Sequence, residues 1–246
     1  MDGQVGVVTG GSSGIGLGIA RDLARAGARV AVWSRTAGGA RHTAGRSAGL
    51  HHVACDVSRE HEVEAALERT VEVLGPVDFC FTAAGVNRQD PSLAMAPETF
   101  RSVLRTNLEG TFLTLRAAAR HMAGHGRGGS LVAVSSIAAA TGQARTAHYA
   151  AGKAAVGALV GAAAPELARH GIRANAIVPG FVDTPMLAPH LASARFVDRV
   201  LPRVPAGRWG VPDDLGGLAV HLAGPASRGV TGVSFVVDGG YSHSWH

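Results

Sequence analysis

Tyr149 and Lys153 are the two residues of this chain whose types and spacing have the clearest chemical use. Of 23 lysines and arginines in 246 residues, Lys153 is the single lysine, and it follows one of only two tyrosines by four positions. Random placement would give that spacing about once in a hundred sequences of this composition. On a helix, residues i and i+4 project from one face. An ammonium beside a phenol favours the phenolate and lowers its pKa from about 10 towards the working pH. Tyr149 would then donate a proton to a carbonyl during reduction, or take one from an alcohol during oxidation. Arginine would serve poorly, because a compact ammonium also reaches ribose hydroxyls. Ser136, thirteen residues before Tyr149, ends an apolar run. Its hydroxyl could bond the substrate oxygen where negative charge develops. Alone it reads as a capping or strand-terminal serine; beside the pair it becomes the third member of one site.

A second constellation lies near the N-terminus. Thr9-Gly10-Gly11-Ser12-Ser13-Gly14-Ile15-Gly16 follows a β-branched run at residues 5–8 and opens a helical pattern at 15–26. Glycines in such a turn let a pyrophosphate approach the backbone and the helix N-terminus. Gly10, Ser12, Ser13, Gly14, Ile15 and Gly16 are expected to cradle a dinucleotide. The end of the second strand decides which one. NAD-binding chains carry an acid there, about twenty residues beyond the turn, to bond the adenosine ribose. Here the position holds Ser34, then Arg35. With no carboxylate to repel a phosphate and a guanidinium able to grip one, NADP(H) is preferred over NAD(H). Asp56, beside Val57 after the third strand, either holds the adenine amino group or caps the helix that begins near Ser58.

Both constellations need a scaffold that brings strand ends together. Apolar runs predict strands at 5–8, 29–33, 52–55, 77–81, 130–135, 172–178 and 233–237. Helical periodicity covers 15–26, 59–74, 97–122 (in one piece or two), 148–170 and 212–222. Residues 37–49 contain four glycines and read as a weak helix or a loop. Several strands are apolar on both faces, as in a parallel sheet covered by helices on each side. The fold class is therefore α/β, a single-domain, doubly wound parallel sheet of Rossmann type over residues 1–246. Right-handed crossovers place the strand C-termini along one edge, where such sheets bind ligands.

Composition excludes several alternatives. The chain is 46% hydrophobic and 17% charged, enough apolar material for a sizeable core. The net charge of +5 comes from scattered arginines without a basic block, so no nucleic-acid partner is expected. The strand pattern beginning near Gln4 leaves no room for a signal peptide, and the longest apolar run, 154–165, is too short to span a bilayer. No membrane association and a cytoplasmic location are expected. Cys55 and Cys80 read as buried, reduced thiols. Twelve histidines show no convincing ligand spacing, so no metal is expected. His51-His52 reads as a loop entering a strand.

Taken together, these motifs resemble those of the short-chain dehydrogenase/reductase family along nearly the whole chain. Residues 9–16 look like its cofactor turn, and Ser136 with Tyr149-Ala150-Ala151-Gly152-Lys153 like its catalytic motif. From sequence alone Asn107 is a polar residue inside a helix; the resemblance makes it the asparagine that holds a water linking the lysine to solvent. Pro179, Gly180, Val182 and Thr184 match the segment that holds the nicotinamide carboxamide, and Ala84 and Gly85 the backbone that meets the adenosine ribose. Tyr149 and Lys153 would touch the cofactor as well. Two departures stand out. Thr82-Ala83-Ala84-Gly85 replaces the usual pair of asparagines before Ala-Gly, which removes a side-chain tie between strands. Pro165 should kink the helix that carries Tyr149.

Substrate contacts are expected from Gln143, His148, Phe181, Met186 and Leu187, with a lid at about 183–206. The helix at 149–170 is apolar all round and rich in small residues, which points to burial on every side. A homotetramer or homodimer through that helix is expected. The tail 243–246 would reach a neighbouring subunit or stay loose. The activity implied is hydride transfer between NADP(H) and a carbonyl or secondary alcohol, with Tyr149 as general acid/base. A 3-oxoacyl-thioester reductase and a sugar-acid dehydrogenase are the rival enzyme readings, and a cofactor-binding scaffold or regulator is the rival outside enzymes.

Overall fold

The computed structural model describes residues 1–35 and 49–244. The glycine-rich stretch 36–48 and the last two residues lie outside the described part. Seven parallel strands form one sheet: β1 (Val5–Thr9), β2 (Arg29–Ser34), β3 (Leu50–Ala54), β4 (Phe79–Thr82), β5 (Gly129–Val134), β6 (Ile172–Pro179) and β7 (Ser234–Val237). Their order is β3-β2-β1-β4-β5-β6-β7. Thr9 at the end of β1 is in register with both Trp33 of β2 and Thr82 of β4. The winding reverses there, which opens a crevice at the C-terminal ends of β1 and β4.

Alternate residues of each strand feed two cores. On one face Val7, Ala31, Trp33, Cys80 and Leu131 pack against α2 (Glu60–Leu74), α4 (Gly110–His125) and α5 (Ala147–Ala168). On the other, Val8, Val30, Val32, Phe79, Phe81 and Ile177 pack against α1 (Gly14–Arg25) and α7 (Gly216–Ala223). Apolar residues on both sides of each central strand are what a sheet covered twice requires. The largest buried side chain, Trp33, has its one polar atom satisfied: the indole N–H donates to Thr70 Oγ1 at 3.0 Å, and Thr70 donates on to the Ala66 carbonyl. Cys55 and Cys80 are both buried free thiols, and burial pushes each up to about 12, where no reactive thiolate forms.

The helical pattern at 97–122 resolves into α3 (Pro97–Leu104), a π-helical turn Arg105–Glu109 and α4. The π-turn inserts one extra residue per turn, and Asn107 sits at its centre, fully buried. The pattern at 212–222 likewise divides, into a 3₁₀ turn Pro212–Leu215 and α7. His51 and His52 belong to β3 rather than to a loop. Asp56 does not cap a helix: its Oδ1 accepts the N–H and hydroxyl of Ser58, and Arg59 occupies the N-cap of α2.

Within one chain α5 buries Val156, Val160 and Ala164, while Ala151, Ala154, Ala158, Gly161 and Ala162 face outward. Pro165 lies inside the helix, which continues to Ala168. Proline leaves the carbonyl four residues earlier, Gly161, without its helical donor, but both residues are exposed and solvent can take the donor's place.

A histidine pair closes the opposite edge of the sheet. His121 Nε2 accepts the Val77 N–H at 3.0 Å, so it must be unprotonated. His125 lies 5.0 Å away ring to ring and meets the Val77 carbonyl at 3.2 Å; Arg127 binds Asp78 at 2.9 Å. Burial, helped by His125 and Arg127 and opposed by Asp78, holds His121 below its ordinary value of 6.5. A lowered histidine stabilises the fold fully above its unfolded pKa, and that contribution is lost as pH falls through the folded one. Thermal midpoints should therefore drop more steeply below about pH 6.5 in the native chain than in a His121→Gln variant; parallel curves would remove His121 from the account.

Candidate active site

The crevice is lined by four loops that leave the ends of β1, β4, β5 and β6. After β1, Gly10 and Gly14 adopt φ of +65° and +51°, the left-handed region. A Cβ on Gly10 would stand 2.8 Å from the Ala84 backbone, so the glycine turn and the loop after β4 touch. One on Gly16 would stand 2.4 Å from the Gly10 carbonyl, which closes the turn against α1. Ser13, the N-cap of α1, makes no side-chain cap bond to the first N–H groups of the helix. Ile15 anchors the turn to the core. Gly10, Ser12, Ser13, Gly14, Ile15 and Gly16 thus form one tight turn at the end of β1.

The loops around this turn gather most of the remaining expected residues. Ser34 Oγ lies 2.7 Å from His52 Nε2, a neighbour that sequence reading did not supply. Arg35 is exposed beyond it, and its charge, with that of Arg59, helps hold Asp56 below the ordinary carboxylate range. Burial, the largest single effect, pushes Asp56 up, and the two hydrogen bonds from Ser58 together with the two arginines outweigh it. Val57 is buried against Gly110. The tie expected to be lost at Thr82 is partly replaced, because Thr9 Oγ1 accepts the Ala84 N–H at 3.1 Å. Thr82 Oγ1 itself is buried without a partner among the described residues. At the end of β6 Pro179 is buried; beyond it Gly180 packs against Asp238, and Thr184 lies over Gly14.

Around Tyr149 the arrangement is tighter than the spacing alone implied. Lys153 is buried and tied twice to the end of β5: Nζ donates to the Val134 carbonyl at 2.7 Å, and Ser135 Oγ donates to the Lys153 carbonyl at 2.7 Å. Ser135 is a residue that sequence reading missed; its only signal was its place beside Ser136. Lys153 Nζ stands 5.8 Å from the centre of the Tyr149 ring. Ser136 accepts the Ala138 N–H at 3.2 Å and lies near enough to the Tyr149 hydroxyl to pull its pKa down. Asn107 clamps Val86 with both ends of its amide, accepting the N–H and donating to the carbonyl at 2.8 Å each. It also packs against Gly152, one residue before Lys153.

The electrostatics differ from expectation in one respect. Burial, not the ammonium, dominates the phenol and holds Tyr149 above its ordinary value, with the Ser136 hydrogen bond pulling it back. Burial also brings Lys153 down to about 8. A lysine near 8 exchanges its proton at physiological pH, which a lysine at its usual value would not.

The expected substrate residues are spread around this centre. Gln143 and Leu187 are half-buried and Met186 is exposed. Phe181 lies in a cluster of aromatic rings. His148 is fully buried: its Nδ1 accepts the Tyr149 N–H at 2.8 Å, and its Nε2 has no partner among the described residues. No group of three or more metal-ligating side chains occurs among the described residues. Likewise no described helix is long and apolar enough to cross a membrane.

Comparison with known proteins adds to this geometry. The family model described as enoyl-(acyl carrier protein) reductase matches residues 10–242. The chain is 38% identical over 247 residues to an L-rhamnose 1-dehydrogenase (NAD(P)(+)) of Azotobacter vinelandii, covering 95% of this chain and 94% of the relative. It is 39% identical over 241 residues to the human 3-oxoacyl-[acyl-carrier-protein] reductase, covering 96% and 97%. A gluconate 5-dehydrogenase from Burkholderia cenocepacia, solved with NADP and tartrate, superposes with a TM-score of 0.92 at 34% identity, covering 98% and 96%.

Arg145, in the loop between Ser136 and Tyr149, is the one non-glycine residue with positive φ among those described, at 69°. Its carbonyl accepts the Asp90 N–H at 2.8 Å, which joins this loop to the one after β4. Left-handed backbone is costly for a side chain with a Cβ. Arg145→Gly should therefore raise stability by about 1 kcal/mol. A lower unfolding midpoint in urea would show that the arginine side chain contributes more than its backbone strain costs.

Proposed function

The chain belongs to the short-chain dehydrogenase/reductase family, and on that premise we propose a hydride transfer between NADP(H), preferred over NAD(H), and a carbonyl or secondary-alcohol substrate. The observation that carries this reading is the convergence of Ser136, Tyr149, Lys153 and Asn107 beside the glycine turn, at one edge of the sheet. The cradle fits a dinucleotide, since its positive-φ glycines and uncapped helix end leave backbone N–H groups open to a pyrophosphate. When bound there, the nicotinamide supplies or receives the hydride.

The protein's own groups do the rest. Ser136 bonds the substrate oxygen, and Tyr149 gives it a proton during reduction or removes one during oxidation. Lys153, tied to β5, returns the proton to the phenol, with Asn107 and a water completing the path to solvent. The raised phenol favours the protonated form that reduction uses. Pro179, Gly180, Val182 and Thr184 hold the nicotinamide carboxamide, while Ala84, Gly85, Asp56 and Val57 hold the adenosine half. Gln143, Phe181 and, from the lid at 183–206 itself, Met186 and Leu187 meet the substrate, while His148, expected among them, is fully buried and supports Tyr149 from behind.

The absence of a carboxylate at Ser34 and the exposed guanidinium of Arg35 favour NADP(H). The outward stripe of Ala151, Ala154, Ala158, Gly161 and Ala162 supports a homodimer or homotetramer through this helix, since small residues let two helices approach closely. Buried free cysteines support a cytoplasmic setting. For the substrate, 3-oxoacyl thioesters and sugars or sugar acids are the two classes to compare, because relatives of similar identity act on each.

Fluorescence titration of the purified protein should show tighter binding of NADPH than of NADH. Arg35→Asp should weaken NADPH and leave NADH less affected; equal losses would mean that Arg35 does not read the phosphate. Tyr149→Phe should lower turnover by about 10²–10⁴-fold while NADPH affinity stays within about twofold. Unchanged turnover would remove Tyr149 from the chemistry.

A further inference from the structure

The segment 183–206 is fastened at both ends, and its middle is docked by the aromatic contacts of Phe196 together with the buried Val200. At its entry, Val182 pairs with Gly210, and the Gly210 N–H donates to the Phe181 carbonyl at 2.9 Å. At its exit, the Ala206 N–H donates to the Gly239 carbonyl at 3.0 Å. Between them lies α6 (Ala194–Val200), where Arg195, Asp198 and Arg199 face solvent. Its half-buried Phe196 stacks on Trp209 at 5.8 Å and meets Phe181 edge-on at 5.7 Å.

Phe181 is in turn backed by the C-terminal turn. The Tyr241 ring meets it edge-on at 5.1 Å. The Arg203 guanidinium lies 5.3 Å from the centre of the same tyrosine ring. Ser244 Oγ donates to the Arg203 carbonyl at 2.8 Å, so the described end of the tail folds back on its own chain. The Asp238 carboxylate accepts the Gly240 and Ser242 N–H groups at 2.9 and 2.7 Å and fixes the turn that carries Tyr241.

We propose that Tyr241 is a positioning residue for the substrate cover: it braces Phe181 from behind, and Phe181 with Trp209 holds α6 closed through Phe196. The C-terminal turn thereby sets how tightly the substrate, rather than the cofactor, is held. This rests on the reading of 183–206 as a lid. Tyr241 touches neither the glycine cradle nor the Tyr149 group, so its effect should separate from cofactor binding and from chemistry.

The test compares the native protein with Tyr241→Ala, Tyr241→Phe and Arg203→Gln. Tryptic cleavage after Arg195 and Arg199 is followed by mass spectrometry, with NADPH affinity and steady-state kinetics alongside. Acetoacetyl-coenzyme A, L-rhamnose and gluconate serve as probes. Tyr241→Ala should speed cleavage within α6 and raise KM about tenfold, roughly the loss of one aromatic contact. The kcat and NADPH affinity should stay within about twofold, since neither depends on the brace. Tyr241→Phe should behave as the native protein, because only the ring makes these contacts. Arg203→Gln should move the same two readouts by a smaller factor, and keeps the test open if Tyr241→Ala does not fold. Unchanged cleavage in both Tyr241→Ala and Arg203→Gln would overturn the brace. Faster cleavage with unmoved KM would leave the brace standing and overturn the reading of 183–206 as a substrate cover.

Discussion

Two hydrogen bonds between Lys153 and the end of β5 hold the site together. Strand and helix are separate elements, and nothing in their regular geometry fixes how far along the strand the helix should sit. Ser135 reaches the lysine carbonyl and the lysine ammonium reaches the Val134 carbonyl, so side chain and backbone are pinned at once. Both bonds are buried, where a lost partner would leave a polar group unsatisfied at a cost of about 1–3 kcal/mol. That cost makes the register of α5 against β5 close to all-or-none. With the register fixed, Tyr149, one turn earlier, falls beside Ser136, the next residue along the strand exit.

Asn107 performs the corresponding service from the other side. Its amide is held at both ends by the backbone of Val86, so the loop after β4 cannot drift from the π-helical turn. The same loop touches the glycine turn through Ala84 and Gly10, and Asp90 ties it to the segment preceding α5. The glycine turn and the Ser136, Tyr149 and Lys153 group are thus parts of one connected structure. Burial of Lys153 costs it part of its basicity, bringing it to about 8, and the same burial keeps the phenol protonated. In a drier site each group is less willing to carry charge, which suits proton exchange better than a permanent ion pair would.

The segment 183–206 is held on a different principle. Around Phe196 its contacts are aromatic edges and one stacked pair, with Val200 buried beside them, and hydrogen bonds to the rest of the chain lie towards its ends. Aromatic contacts contribute little individually and depend weakly on exact register. A segment held in this way can shift without breaking the Tyr149 centre, whose hydrogen-bonded parts are buried and fixed.

The sequence by itself determined the elements and the chemistry. Apolar runs and helical periods located all seven strands, because burial on both sheet faces leaves a strong local signal in strands such as β1 and β5. The glycine turn, the Ser34–Arg35 exit and the Tyr149–Lys153 spacing were legible for a similar reason: each needs particular residue types at short, fixed separations. What only the tertiary structure decided involves partners distant in the chain. Ser135 on the lysine carbonyl, Asn107 on Val86, His52 on Ser34 and Tyr241 behind Phe181 leave no local pattern, since each pairs residues that only the winding of the sheet brings together. The protonation of the site belongs with them. Spacing predicted an ammonium lowering a phenol, but the balance went to desolvation, a property of everything packed around Tyr149 rather than of any residue near it in sequence.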